Sequence, residues 1–167
     1  VKSRLLPKRR ALRSRGPSKT DRIRRLLALG LPKHGDEDEE KAALAIVARF
    51  LAWTATRPCA ASGWRPGELH EYQGQEWIIG VEAAHVVETR GHFGGDLGCV
   101  VPLCTLLHRE QHRDPTFWTR RHLDPLILAR AHAVRFFRED PAAADWIIAH
   151  AQDGDAVALA TAGLEER

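Results

Sequence analysis

Between residues 76 and 113 the chain reads as two short apolar runs, a glycine-rich loop between them and a helix after the second, and that order leaves few folds open. EWIIGVEAAHVV has the apolar, β-branched character and the length of a strand. Gly91, Gly94, Gly95 and Gly98 mark a loop over residues 89–98. CVVPLC is a second short strand, and TLLHREQHR reads as a helix that Asp114-Pro115 stops. A strand, a loop, a returning strand and a helix form one supersecondary unit, and its polar residues gather where the hairpin meets the helix.

The flanks are helical. An acidic run over residues 36–40 supplies a negative first turn, which suits the helix dipole. The helix continues as KAALAIVARFLAWTA, with Ala43, Leu44, Val47 and Leu51 expected on the core-facing stripe. Ahead of it, Thr20 caps a short helix over residues 20–29 that Gly30 ends. Residues 56–67 are rich in turn formers. Beyond the central unit a helix is expected over residues 123–138, with Leu126, Ala129, Ala133, Phe136 and Phe137 at helical spacing. Pro141 opens PAAADWIIAHAQ from a favourable first-turn position, and a short last helix covers residues 155–163. The expected class is α+β, mostly helical. Its organisation is a basic arm (1–19), N-terminal helices (20–56), the central hairpin-and-helix core (57–122) and C-terminal helices (123–167).

The formal net charge is only +3, but residues 1–25 carry eleven Lys or Arg against the single acid Asp21. Such an arm attracts an anionic polymer by counterion release, and Lys8, Arg9 and Arg10 are its densest cluster. It is expected to raise general DNA affinity without setting sequence choice. No apolar run approaches the roughly 18 residues of a membrane span, and no apolar segment of signal-peptide length follows the basic N-terminus. Three cysteines, an odd and low count, argue against a disulfide scaffold and fit a reducing cytoplasm.

Nine histidines are present, and two share a geometry that suits a metal. His108 and His112 lie four apart on the expected helix, so both imidazoles project from one face. Imidazole nitrogen is a good ligand for zinc and other first-row divalent ions. His132 and His150, in helical segments, read as packing or solvent-facing residues. His34, His70 and His122 read as surface or loop residues, and His92 lies in the glycine-rich loop.

The pattern PC…G…EAAHVV…RGHFGGD…VVPLCTLLHREQH, over residues 57–138, resembles the HNH, or ββα-metal, nucleases, and in particular the small recombination-associated members of phages and prophages. The resemblance implies a ββα-metal core and a DNA endonuclease or nickase of a bacterial or phage-infected cytoplasm. His85 becomes the general base that takes a proton from water, a task suited to a neutral imidazole. His108 and His112 become ligands of one divalent ion, Mg2+, Mn2+, Ni2+ or Zn2+, with Glu82 as a third group toward it. Arg109, Arg113 and Arg90 are placed to meet phosphates, which gives weak sequence preference because phosphates carry no base information.

Three positions depart from the family pattern. Ala84 stands where many members place a metal-binding Asp or His just before the base. Cys99 stands where the family's Asn braces the loop, and Asp96 is the alternative brace. The two CxxC pairs that hold a structural zinc in many relatives read Cys59-Ala60-Ala61-Ser62 and Cys104-Thr105-Leu106-Leu107, each with one thiol. Two thiolates do not complete a tetrahedral site, so no structural zinc is expected, and Cys59 and Cys104 are expected to pack as thiols. Ala84 and Cys99 leave open a non-catalytic DNA-binding module on a degenerate scaffold. A small helical interaction protein with an incidental His pair is a third reading. Oligomeric state is open.

Overall fold

The computed structural model describes residues 37–86 and 97–166. The basic arm with Lys8, Arg9 and Arg10, the helix expected over residues 20–29, and most of the glycine-rich loop with Arg90, His92 and Asp96 lie outside the described residues. Helix α1 (Glu37–Thr54) starts on four acidic residues, as the dipole argument expects, and buries Ala43, Ile46, Val47, Phe50 and Thr54. Ala43 and Val47 belong to the expected stripe. Leu44 and Leu51 are only half-buried, because the core face is centred on the fully buried Phe50 ring rather than on them.

Two small antiparallel hairpins follow: β1 (Leu69–Tyr72) with β2 (Gln75–Ile78), and β3 (Val81–His85) with β4 (Val100–Cys104). The run expected as one strand is therefore cut in two at Ile79 and Gly80. Ile79 bonds back to the segment just before β1, through Gly67 N–H to Ile79 O and Ile79 N–H to Glu68 O, both 2.8 Å. Gly80 is where the following helix docks: Thr105 N–H donates to its carbonyl at 2.9 Å. A Cβ at Gly80 would stand 3.2 Å from Thr105 Oγ1, closer than ordinary contact. Gln73 and Gly74 turn the first hairpin with φ of 54° and 75°, the two positive angles of a type I′ turn. β3 and β4 pair from Val81 opposite Cys104 to His85 opposite Val100.

Helix α2 (Thr105–Arg113) begins on the residue after β4, with Cys104 as its N-cap. A four-residue helix, α3 (Phe117–Arg120), leads to α4 (Pro125–Glu139), α5 (Pro141–His150) and α6 (Gly154–Glu165). Each of the last three is started by an aspartate. Asp124 accepts from Leu126 and Ile127 N–H, Asp140 from Ala143 N–H, and Asp153 from Asp155 N–H. The cap at Asp124 with Pro125 behind it starts α4 two residues later than expected, and Leu126, in that first turn, is exposed instead of lying in the core.

Apolar burial forms two clusters. One joins Ala43, Ile46 and Phe50 of α1 to Ala133, Phe136 and Phe137 of α4, Ala143, Ala144 and Ile147 of α5, and Leu159 and Ala160 of α6. The other gathers Cys59, Ile79, Val81, Ala84, Val101, Leu103, Cys104, Leu107, Phe117 and Ala129 around the second hairpin. All five residues of β4 are buried, and its Val100 belongs to the helical cluster while Val101 and Leu103 belong to the other. The protein is thus an α+β fold, mostly helical, with two small hairpins.

The seam between α4 and α6 is tight at Gly163. An added Cβ would lie 2.6 Å from Phe137 Cβ and 2.9 Å from the Val134 carbonyl oxygen. Backbone on both sides leaves little room to yield, so Gly163→Ala is expected to destabilise the fold by about 1–3 kcal/mol despite the better helix propensity of alanine. Urea unfolding of wild type and variant checks this, and an unchanged or raised midpoint would contradict the packing.

Candidate metal centre

Helical spacing brings Thr105, His108 and His112 onto one face of α2, and that face lies against β3. Glu82, from the strand, receives both contacts of the seam. Its Oε2 lies 2.8 Å from His108 Nδ1, and Thr105 Oγ1 donates to its Oε1 at 3.3 Å. A carboxylate oxygen accepts, so His108 Nδ1 is the donor to Glu82 and the other ring nitrogen, Nε2, faces away from the strand. His112 Nε2 stands 3.1 Å from that atom. Two imidazole nitrogens so close, with a carboxylate fixing the tautomer and orientation of one, are the arrangement by which proteins present histidines to a metal.

The donor set suits one divalent ion held by His108 and His112, with solvent or a substrate oxygen filling the rest of its sphere. Glu82, named from the sequence as a third group toward the ion, meets Nδ1 of His108, the ring nitrogen on the other side from His112. Among the described residues no group of three or more His, Cys, Asp or Glu is arranged to hold a metal.

His85 ends β3 at the same seam, with its side chain exposed. Its carbonyl accepts from Gln111 Nε2 at 3.3 Å, and Gln111 directly precedes His112 on α2. The strand end is thereby tied to the helix next to the histidine pair. Gln111 was not among the residues singled out from the sequence; lying between two ligand candidates on one helix face was its only signal. Ala84 is fully buried in the apolar cluster, so the position before His85 offers no ligand. Cys99, at the Asn position, is buried, and its main chain contributes there: its carbonyl accepts from Val86 N–H at 3.0 Å, extending the ladder one step past His85.

The opposite side of α2 is braced by Glu110. Tyr72 Oη donates to it at 3.3 Å, Arg120 at 3.0 Å and Arg121 at 3.0 and 3.1 Å, which ties the helix to β1 and α3. Burial and the Glu110 carboxylate push the Tyr72 phenol above its usual range. Arg120 also pairs with Asp114, whose carboxyl is held below the usual range chiefly by the Thr116 hydroxyl and amide. Arg109 and Arg113 are exposed on α2.

Other histidines and two cysteines sit outside this seam. His132 is buried, as a packing residue would be. It lies 2.9 Å from Thr54 Oγ1, while that hydroxyl donates to Phe50 O at 2.8 Å, so His132 Nε2 is the donor to Thr54. His70 stacks on Trp64 and His150 on Trp146. Cys59 and Cys104 are free and buried in the same apolar cluster, as expected of packed thiols. No protein-family model, curated protein or solved structure matches the chain.

Proposed function

We propose that this protein is a metal-dependent DNA endonuclease or nickase of the ββα-metal class. The observation that carries the reading is the pairing of His108 and His112 nitrogens at 3.1 Å, with Glu82 on the far side of His108, on a helix that directly follows the hairpin whose first strand ends at His85. His85 takes the proton of the attacking water, and its position is kept by the Gln111 bond to its carbonyl. His108 and His112 hold the divalent ion, which when bound supplies charge stabilisation for the phosphate and the leaving oxygen. Arg109 and Arg113 neutralise neighbouring phosphates and align the backbone along α2. The basic arm adds sequence-independent affinity.

The test is incubation of supercoiled plasmid with the full chain and Mg2+, Mn2+, Co2+, Ni2+ or Zn2+ in turn, beside His85→Ala. The expected result is nicked or linear product with at least one ion, slowed about 10²–10⁴-fold in the variant, the usual worth of a general base. Cleavage at equal rates in both proteins removes His85 from the mechanism. A second reading, a DNA-binding module without catalysis, is favoured by the full burial of Ala84, which leaves two imidazoles without a third ligand among the described residues. Salt-dependent DNA binding with no cleavage under any ion would select it.

A further inference from the structure

The first hairpin has an inner and an outer face. Its register pairs His70 with Trp77 and Tyr72 with Gln75 on one side, and Leu69 with Ile78 and Glu71 with Glu76 on the other. The inner side is tied down: His70 stacks on Trp64, and Tyr72 Oη donates to Glu110 at 3.3 Å. The outer side is left to solvent, with Leu69 60% and Ile78 76% exposed. Cross-strand partners have Cβ atoms about 5 Å apart, so these two side chains form one contiguous apolar spot. Beside it Glu71 and Glu76 stand opposite each other, an unfavourable like-charge pair, and neither carboxylate has a partner among the described residues. An apolar spot rimmed by unneutralised carboxylates is the complement of a segment that carries hydrocarbon and positive charge.

We propose that the outer face of the β1–β2 hairpin is the docking site of the chain's own basic arm, residues 1–19. That segment carries eight Lys or Arg and no acid, with Leu5, Leu6 and Leu12 among them. Its leucines cover Leu69 and Ile78, and its cations neutralise Glu71 and Glu76. Tethering makes modest contacts sufficient, because a segment joined to the same chain meets the face at an effective concentration of about millimolar. Seventeen residues separate the arm from Glu37. Even with residues 20–29 helical they reach about 40 Å, more than the roughly 30 Å diameter of a small domain.

The same chemistry disfavours other occupants. Residues 68–78 hold Glu68, Glu71 and Glu76 and no Lys or Arg, so the face repels a nucleic acid. A second copy docked about a two-fold axis would set the Glu71–Glu76 pair against itself. The rival for the arm within the chain is the acidic start of α1. There Lys41 already pairs with Glu37 at 3.8 Å and Asp38 at 3.2 Å, and the helix dipole favours the negative charge. That helix also exposes no large apolar side chain. DNA competes for the same cations, so bound DNA draws the arm off the hairpin. Only this release rests on the nuclease reading; the docking does not.

Zero-length carbodiimide coupling of the full chain without DNA, at low salt and low protein concentration, followed by peptide mapping, tests the docking. The expected product is a monomer in which Lys2, Lys8 or Lys19 is joined to Glu71 or Glu76, and high salt prevents its formation. Leu69→Thr/Ile78→Thr changes no charge and keeps good strand formers. It is expected to speed tryptic cleavage within residues 1–19 about three- to tenfold at low salt, since cleavage tracks the undocked population, with the urea midpoint unchanged. Amides confined to residues 37–40 would overturn the proposal in favour of the helix start. Amides to Glu71 or Glu76 found only in dimers would give the face to a second copy. Equal tryptic rates in wild type and the double variant would remove the apolar contact on which the docking stands.

Discussion

His108→Ala is expected to abolish stoichiometric binding of divalent ions and to reduce plasmid cleavage to background, while Glu82→Gln is expected to leave binding in place but weaken it about 10–100-fold, the usual cost of losing a partner to a metal-bound histidine. The two variants separate holding the ion from orienting its holder. Among the described residues His108 supplies one of the two imidazoles that meet here, so its loss leaves His112 without that partner. Glu82 contributes through Nδ1, and a glutamine oxygen can still accept from that N–H, though without the negative charge. Calorimetric titration of Mn2+ or Zn2+ into the three proteins reads the difference. Equal affinity in wild type and His108→Ala would end the metal assignment, and a Glu82→Gln variant as defective as His108→Ala would make the carboxylate a ligand.

The second large effect is on stability against acid. Burial, with repulsion from Arg135 and Arg57, pushes His132 down to about 3 from its ordinary value near 6.5. The unfolded chain therefore binds a proton at this residue over the window between those values, where the folded chain does not. Stability falls as pH drops through about 6.5, continues to fall, and levels only near the folded value. Between about pH 7 and about pH 4 the loss from this one group is about 3 kcal/mol, a large share of the stability of a small domain. His132→Gln keeps an N–H for Thr54 and removes the titration. Its urea unfolding free energy is expected to depend on pH less steeply than wild type by that amount. Parallel pH profiles for the two proteins would show that His132 does not carry the effect.

Much of the seam was legible before any coordinates, because its signals are local. The four-residue spacing of His108 and His112 on a helix stopped by Asp114-Pro115 is a matter of periodicity and punctuation, whereas His85 was singled out by the family resemblance and the apolar run around it did not mark where the strand ends. Glu82 was marked as a residue near the ion, but only the three-dimensional placement shows that it meets Nδ1 of His108, since strand spacing does not say which atom a side chain reaches. The β1–β2 hairpin was missed for a physical reason. Its turn is Gln73-Gly74, which lacks the Asn or Asp that usually announces two positive φ angles, and β2 is exposed along its length, so no burial pattern separates it from its neighbours. The break at Gly80 was hidden in an apolar run, where only the docking of Thr105 reveals it.

The placement of β4 has a consequence for how the protein can change. With no side chain left to solvent and its residues divided between both apolar clusters, this strand acts as a shared wall. Loosening either cluster is therefore expected to loosen the other, and the hairpin is expected to unfold together with the helices rather than as a separate unit.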